Sequence, residues 1–118
     1  MTAPDAHDLT ALDATAQADL VRSGAVSPGE LVDAAVARLD AVNPALNAVI
    51  HDLRDRARAE AASADLPDGP FRGVPFVVKD LDGALGGAPL HQGNRLLKAI
   101  GHTAERDSTL IEIGRAHV

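Results

Sequence analysis

No cysteine, tryptophan or tyrosine occurs in these 118 residues, and phenylalanine occurs only twice. Without cysteine there is no disulfide framework, no thiolate metal site and no cysteine nucleophile. With aromatics at 2% and alanine plentiful, any core is built from small side chains and buries little area per residue. Positive charge is short as well: 11 Lys+Arg stand against 17 Asp+Glu, a net charge of −6, which argues against a phosphate-binding surface and against nucleic acid as a partner. The first eight residues lack the basic stretch and apolar run of a secretory leader, and nowhere do the roughly 18 apolar residues of a membrane span run together. A soluble cytoplasmic protein with no membrane partner is the expectation. The histidines His7, His51, His91, His102 and His117 share no i, i+4 spacing on a common helix, so no metal is expected. Neither G-x-G-x-x-G nor G-x-x-x-x-G-K-[ST] occurs, so no nucleotide cofactor is expected either.

What is present suits one domain with one core. Residues 1–12 read as a flexible N-terminal arm, small, polar and acidic in their first eight positions. Asp13 is a good N-cap for a short helix over Ala14 to Ser23, which Gly24 stops. Ser27-Pro28-Gly29-Glu30 is a capping box with proline at the first helical position, and Leu31, Val32, Ala35, Val36, Leu39 and Val42 recur behind it at helical spacing. Asn43-Pro44 predicts the end of that helix, since the residue before a proline is pushed out of the helical region. Asn47 to His51 reads as a strand, and Asp52 as the cap of a charged, solvated helix to about Ser63. Later come a short helix over Asn94 to Ile100, with Leu96, Leu97 and Ile100 facing inward, and a last one capped by Asp107 and starting at Ser108.

Between these lies Gly69-Pro-Phe-Arg-Gly-Val-Pro-Phe-Val-Val-Lys-Asp-Leu81. Val74, Phe76, Val77 and Val78 form a continuous apolar run bounded by glycine and proline, which predicts a strand buried on both faces. The helix, strand, helix, strand order predicts an α/β unit with two parallel strands and a right-handed crossover. A lysine that ends a buried strand is unusual, because taking an ammonium out of water costs several kcal/mol unless it is paired or neutralised. Lys79 is therefore a catalytic base, kept neutral by burial, or a rim ion pair with Asp80. The glycines Gly83, Gly86 and Gly87 predict a flexible loop at the carboxyl end of the strand, where open α/β sheets keep their sites. His91 in that loop is a substrate-side residue or a solvated one.

The same stretch resembles the segment of the amidase signature family that carries its catalytic lysine, G-P-L-x-G-V-P-x-x-x-K-D, with Phe71 as the one departure. Ser27 to Val32, Asn43 to Ala48, Gly87 to Gly93, and Asp107-Ser108 resemble further motifs of that family in the right order, so the likeness spans roughly Leu12 to Ile111. It implies an α/β fold made of N-terminal helices plus the first strands of the mixed-sheet amidase signature fold, incomplete in this chain. Residues 13–111 are then the N-terminal part of an amidase domain. The activity implied is hydrolysis of the C–N bond of a small-molecule amide by a Ser-cisSer-Lys triad, with Lys79 as its lysine. In the family, a serine in a cis peptide bond relays the proton and a second serine attacks the carbonyl. Both lie in a Gly/Ser-rich segment that this sequence lacks: Ser23, Ser27, Ser63 and Ser108 are each explained by a helix end or cap. The fragment alone is expected to be inactive. Residues 112–118 resemble the translation of a sequencing adapter and are expected to be an artefactual tail. Two other readings stay open, a glutamine-hydrolysing subunit of a tRNA-dependent amidotransferase and a small non-enzymatic α/β binding module.

Overall fold

The computed structural model describes residues 5–118. The expected arm falls outside it for residues 1–4, and the side chain of His7 is likewise outside. The chain divides into two units, one running to Pro75 and taking in His117 and Val118, the other Phe76–Ala116.

In the first unit, α1 (Ala6–Thr10) occupies part of the stretch expected to be an arm. It is held there by burial of Leu9, 4% exposed, and by the Gln17 side chain, which donates to the carbonyls of Leu9 (3.0 Å) and Leu12 (3.3 Å). The α2 helix (Ala14–Arg22) begins as expected, with Asp13 accepting from the Ala16 N–H at 2.8 Å. The α3 helix (Pro28–Leu46) starts at the full capping box, in which the Ser27 hydroxyl accepts from the Glu30 N–H (3.2 Å) and the Glu30 carboxylate accepts from the Ser27 N–H (2.8 Å). Leu31, Val32 and Ala34 of this helix are buried. The core gathers Leu9, Ala18, Val26, Leu31, Ala34 and Val74, with Leu20, Val21 and Phe71 packed at its edge.

Two expectations fail at the end of α3. The helix passes through Pro44 and closes at Asn47, whose left-handed φ of 48° ends it. The Asn43 side chain explains this: its Oδ1 accepts from the N–H groups of Ala48 (2.9 Å) and Val49 (3.0 Å) while its amide donates to the Val49 carbonyl (3.0 Å). These bonds outweigh a steric preference that is a bias rather than a prohibition. They also take up the N–H groups of Ala48 and Val49, which a strand over Asn47 to His51 would need. The α4 helix (Arg54–Ala61) follows, and packs on α3.

The second unit holds α5 (Arg95–Ala99) and α6 (Thr109–Ala116). Asn94 caps α5, accepting from Leu96 and Leu97, but Leu96 and Ile100 point to solvent and only Leu97 is half-buried. Among the described residues there is no β-strand, only an isolated antiparallel bridge between Pro89 and Thr103. The run Val74 to Val78 is not buried on both faces: Val74 is buried, but Phe76 is 49% and Val77 81% exposed. An extended segment becomes a strand only when neighbours take up its N–H and C=O groups, and no described residue pairs with this one in that way. The described residues therefore do not form the expected parallel pair and crossover. Residues 112–116 continue α6 through Gly114, Arg115 pairs with Asp107 at 2.8 Å, and the His117 carbonyl accepts from the Phe71 N–H at 2.8 Å.

Candidate active site

Lys79 follows the exposed Phe76-Val77 pair and is itself exposed, so the desolvated setting expected for it is not provided by the described residues. Nor does the described structure contain the expected rim pair: no ion pair involves Lys79, and Asp80 Oδ1 accepts from the backbone N–H of His91 at 2.9 Å. The Lys79 carbonyl accepts from the Gly83 N–H at 3.3 Å, closing a turn directly behind the lysine. Gly83 and Gly86 are there for close approach, whereas Gly87 has open space around it and supplies a left-handed φ of 79°. A Cβ on Gly83 would collide with Val78 Cγ1, and one on Gly86 would lie 3.1 Å from the Arg106 backbone. The loop they belong to is hydrogen-bonded along its length. Gly87 donates to Ala104 (2.8 Å), Ala104 to Ala88 (3.0 Å), Leu90 to His102 (3.1 Å), and the Gly86 N–H to Asp107 Oδ1 (2.7 Å). Asp107 is thus a loop clamp, and the hydroxyl that serves the start of α6 is that of Ser108, which accepts from Ile111 at 3.4 Å. The other serines are likewise engaged locally, Ser23 donating to Leu20 and Ser63 accepting from Asp65.

The first unit contains a cleft of about 390 Å³ lined by Leu39, Asp40, Asn43, Pro44, Asn47, Val49, Asp52 and Arg54. Its charges are spent on one another: the Arg54 guanidinium reaches Asp40 at 2.8 Å and Asp52 at 2.8 Å. The hydrogen bond from the Arg54 side chain holds the Asp40 carboxyl below its ordinary range, and the bond from the Arg54 backbone N–H does the same for Asp52. Both carboxylates raise the Arg54 guanidinium, Asp40 most. This is a joint between α3 and α4, its charged groups paired with one another. Because both carboxyls sit low in the folded chain, their contribution to stability is complete above about pH 4 and is lost as the pH falls through the lowered values. Melting temperature should therefore drop on acidification below about pH 4, and less steeply in Arg54→Gln. Equal slopes in the two proteins would remove this cluster as a cause.

A model of the amidase family, described as Amidase, matches residues 30–116, which includes Lys79 and the whole loop behind it. The chain belongs to the amidase family. It is 43% identical over 104 residues to a 6-aminohexanoate-cyclic-dimer hydrolase of a Pseudomonas species, covering 88% of this chain and 20% of that protein. It is 39% identical over 84 residues to an acylamidase of Rhodococcus erythropolis, covering 66% and 17%. Among solved structures it matches 6-aminohexanoate cyclic dimer hydrolase complexed with substrate, with a TM-score of 0.84 at 43% identity over 93% of this chain and 22% of that one. The chain thus spans about a fifth of the length of the amidase relatives it matches. No helix among the described residues is long and apolar enough to cross a membrane.

Proposed function

We propose that this chain is the lysine-bearing part of an amidase that hydrolyses a small carboxylic amide, with Lys79 as the base of a Ser-cisSer-Lys triad whose two serines lie outside these 118 residues. The observation that carries the reading is the placement of Lys79 inside the family match, with its ammonium engaged in no ion pair and its neighbour Asp80 turned to the loop. A hydroxyl is a weak nucleophile until an adjacent base takes its proton. As the base, Lys79 would take a proton from the relay serine, which takes one from the attacking serine as that oxygen bonds to the amide carbon. Collapse of the tetrahedral adduct expels the amine with the returned proton, and water then releases the acid. The non-enzymatic reading needs a Lys79–Asp80 rim pair, which the described residues do not form.

The likeness to the cyclic-dimer hydrolase supports a test by grafting. That enzyme, with its corresponding segment replaced by this chain, is expected to hydrolyse its cyclic amide, while the 118-residue chain alone is expected to show no turnover above a buffer blank. A folded chimera without activity would sink the amidase reading. Turnover by the isolated chain, lost in Lys79→Ala, would show that the nucleophile is not elsewhere.

A further inference from the structure

Resting on the reading of Lys79 as a base, we propose that Asp80 is a positioning residue for it, a carboxylate that staples the loop around His91 to the turn from which the lysine projects. Three contacts converge on that turn. The Lys79 carbonyl is closed onto the Gly83 N–H, the Asp80 carboxylate accepts from the His91 N–H, and the Gln92 side-chain amide donates to the Leu81 carbonyl at 3.0 Å. The last two join positions 11 residues apart in sequence, so they fix a tertiary relation and not merely a local turn. Gln92 holds a left-handed φ of 53°, a backbone state uncommon for a residue with a Cβ, and the side-chain bond it makes from there helps hold the loop in that shape. Behind the lysine, a side chain at position 83 would collide with Val78 Cγ1, so the turn is closed by a residue with no Cβ. The loop is in turn anchored by the Leu90 bond to His102.

The mechanical consequence concerns the root of the lysine. Its four-carbon stem is flexible, so only the backbone at Lys79 can set where the amine reaches. A base must come within about 3 Å of its proton, and a displacement of about 1 Å at that distance costs about a hundredfold in rate. A carboxylate is suited to the task because its bond to a backbone N–H is charge-assisted and roughly twice as strong as a neutral one.

Two variants separate this role from a charge effect. Asp80→Ala removes the acceptor, whereas Asp80→Asn keeps an oxygen in the same place and discards the charge. In the 118-residue chain, amide exchange at His91 followed by NMR is expected to quicken about tenfold in Asp80→Ala and to stay near the parent rate in Asp80→Asn. In the chimeric hydrolase, Asp80→Ala is expected to lower kcat about a hundredfold with little change in KM, and Asp80→Asn to come back within about tenfold of the parent. Gln92→Ala, which cuts the second staple and spares the carboxylate, should shift both readouts in the same direction as Asp80→Ala, and covers the case in which that variant does not fold. Unchanged His91 exchange in both Asp80→Ala and Gln92→Ala overturns the proposal. So does an Asp80→Asn enzyme as slow as Asp80→Ala with His91 still protected, since the charge would then be what matters. Full activity in Lys79→Ala is a different failure: it removes the base reading itself.

Discussion

Lys79→Ala is expected to lower kcat of the chimeric hydrolase by about a thousandfold or more, and Lys79→Arg to do no better. The argument turns on what each side chain can do with a proton. A primary amine can be neutral at working pH and accept one, whereas a guanidinium stays protonated under any usable condition and cannot serve as a base. Arginine preserves the positive charge and most of the length, so a lysine that merely supplied charge at the rim would be replaced with little loss, an exposed ion pair being worth about 0–1 kcal/mol. The two readings therefore separate on the arginine variant, measured at saturating substrate beside a melting curve that excludes unfolding. A folded arginine enzyme that keeps most of the parent rate would end the base assignment.

Leu31→Ala is the substitution expected to cost most in stability, about 2–5 kcal/mol. Leu31 is 2% exposed and sits in the core cluster with Leu9, Ala18, Val26, Ala34 and Val74. Most of those neighbours are small, and small side chains fixed on helices cannot move in to fill the space a lost isobutyl group leaves. Against a total stability of about 5–15 kcal/mol for an ordinary domain, the loss is a large share. Leu46→Ala on the same helix is the control, because Leu46 is 66% exposed and its truncation should fall within about 0.5 kcal/mol. With neither tryptophan nor tyrosine present, urea unfolding is followed by circular dichroism of the helices. Equal midpoints for the two variants would show that Leu31 is not the keystone of this core.

The parts of this fold that were legible in the sequence are those whose partners lie within a few residues. Asp13 and the Ser27 hydroxyl each act on an N–H group three positions ahead, and each was found where its residue type placed it, whereas Asn94, read as the first residue of its helix, is the cap just before it. Pro44 misled because its usual effect was set aside by a single side chain, Asn43, whose bonds reach five and six residues on. The apolar run before Lys79 carries the composition of a strand, but composition cannot supply the neighbour that makes one. Lys79 itself was conspicuous through motif resemblance, whereas the engagement of Asp80 was not. Its partner is a backbone N–H 11 residues away, and a backbone N–H leaves no mark in the choice of side chain at His91.

The arrangement of the core has a consequence for how this polypeptide is made. Every member of the main cluster, from Leu9 to Val74, precedes Lys79 in sequence. Chains leave the ribosome amino end first, at about 5–20 residues per second, and fold in the order in which complete sets of contacts emerge. The set needed here is complete once Val74 has appeared. The small hydrophobic nucleus can therefore consolidate while the lysine turn and the His91 loop are still being delivered, and it does not have to wait for them.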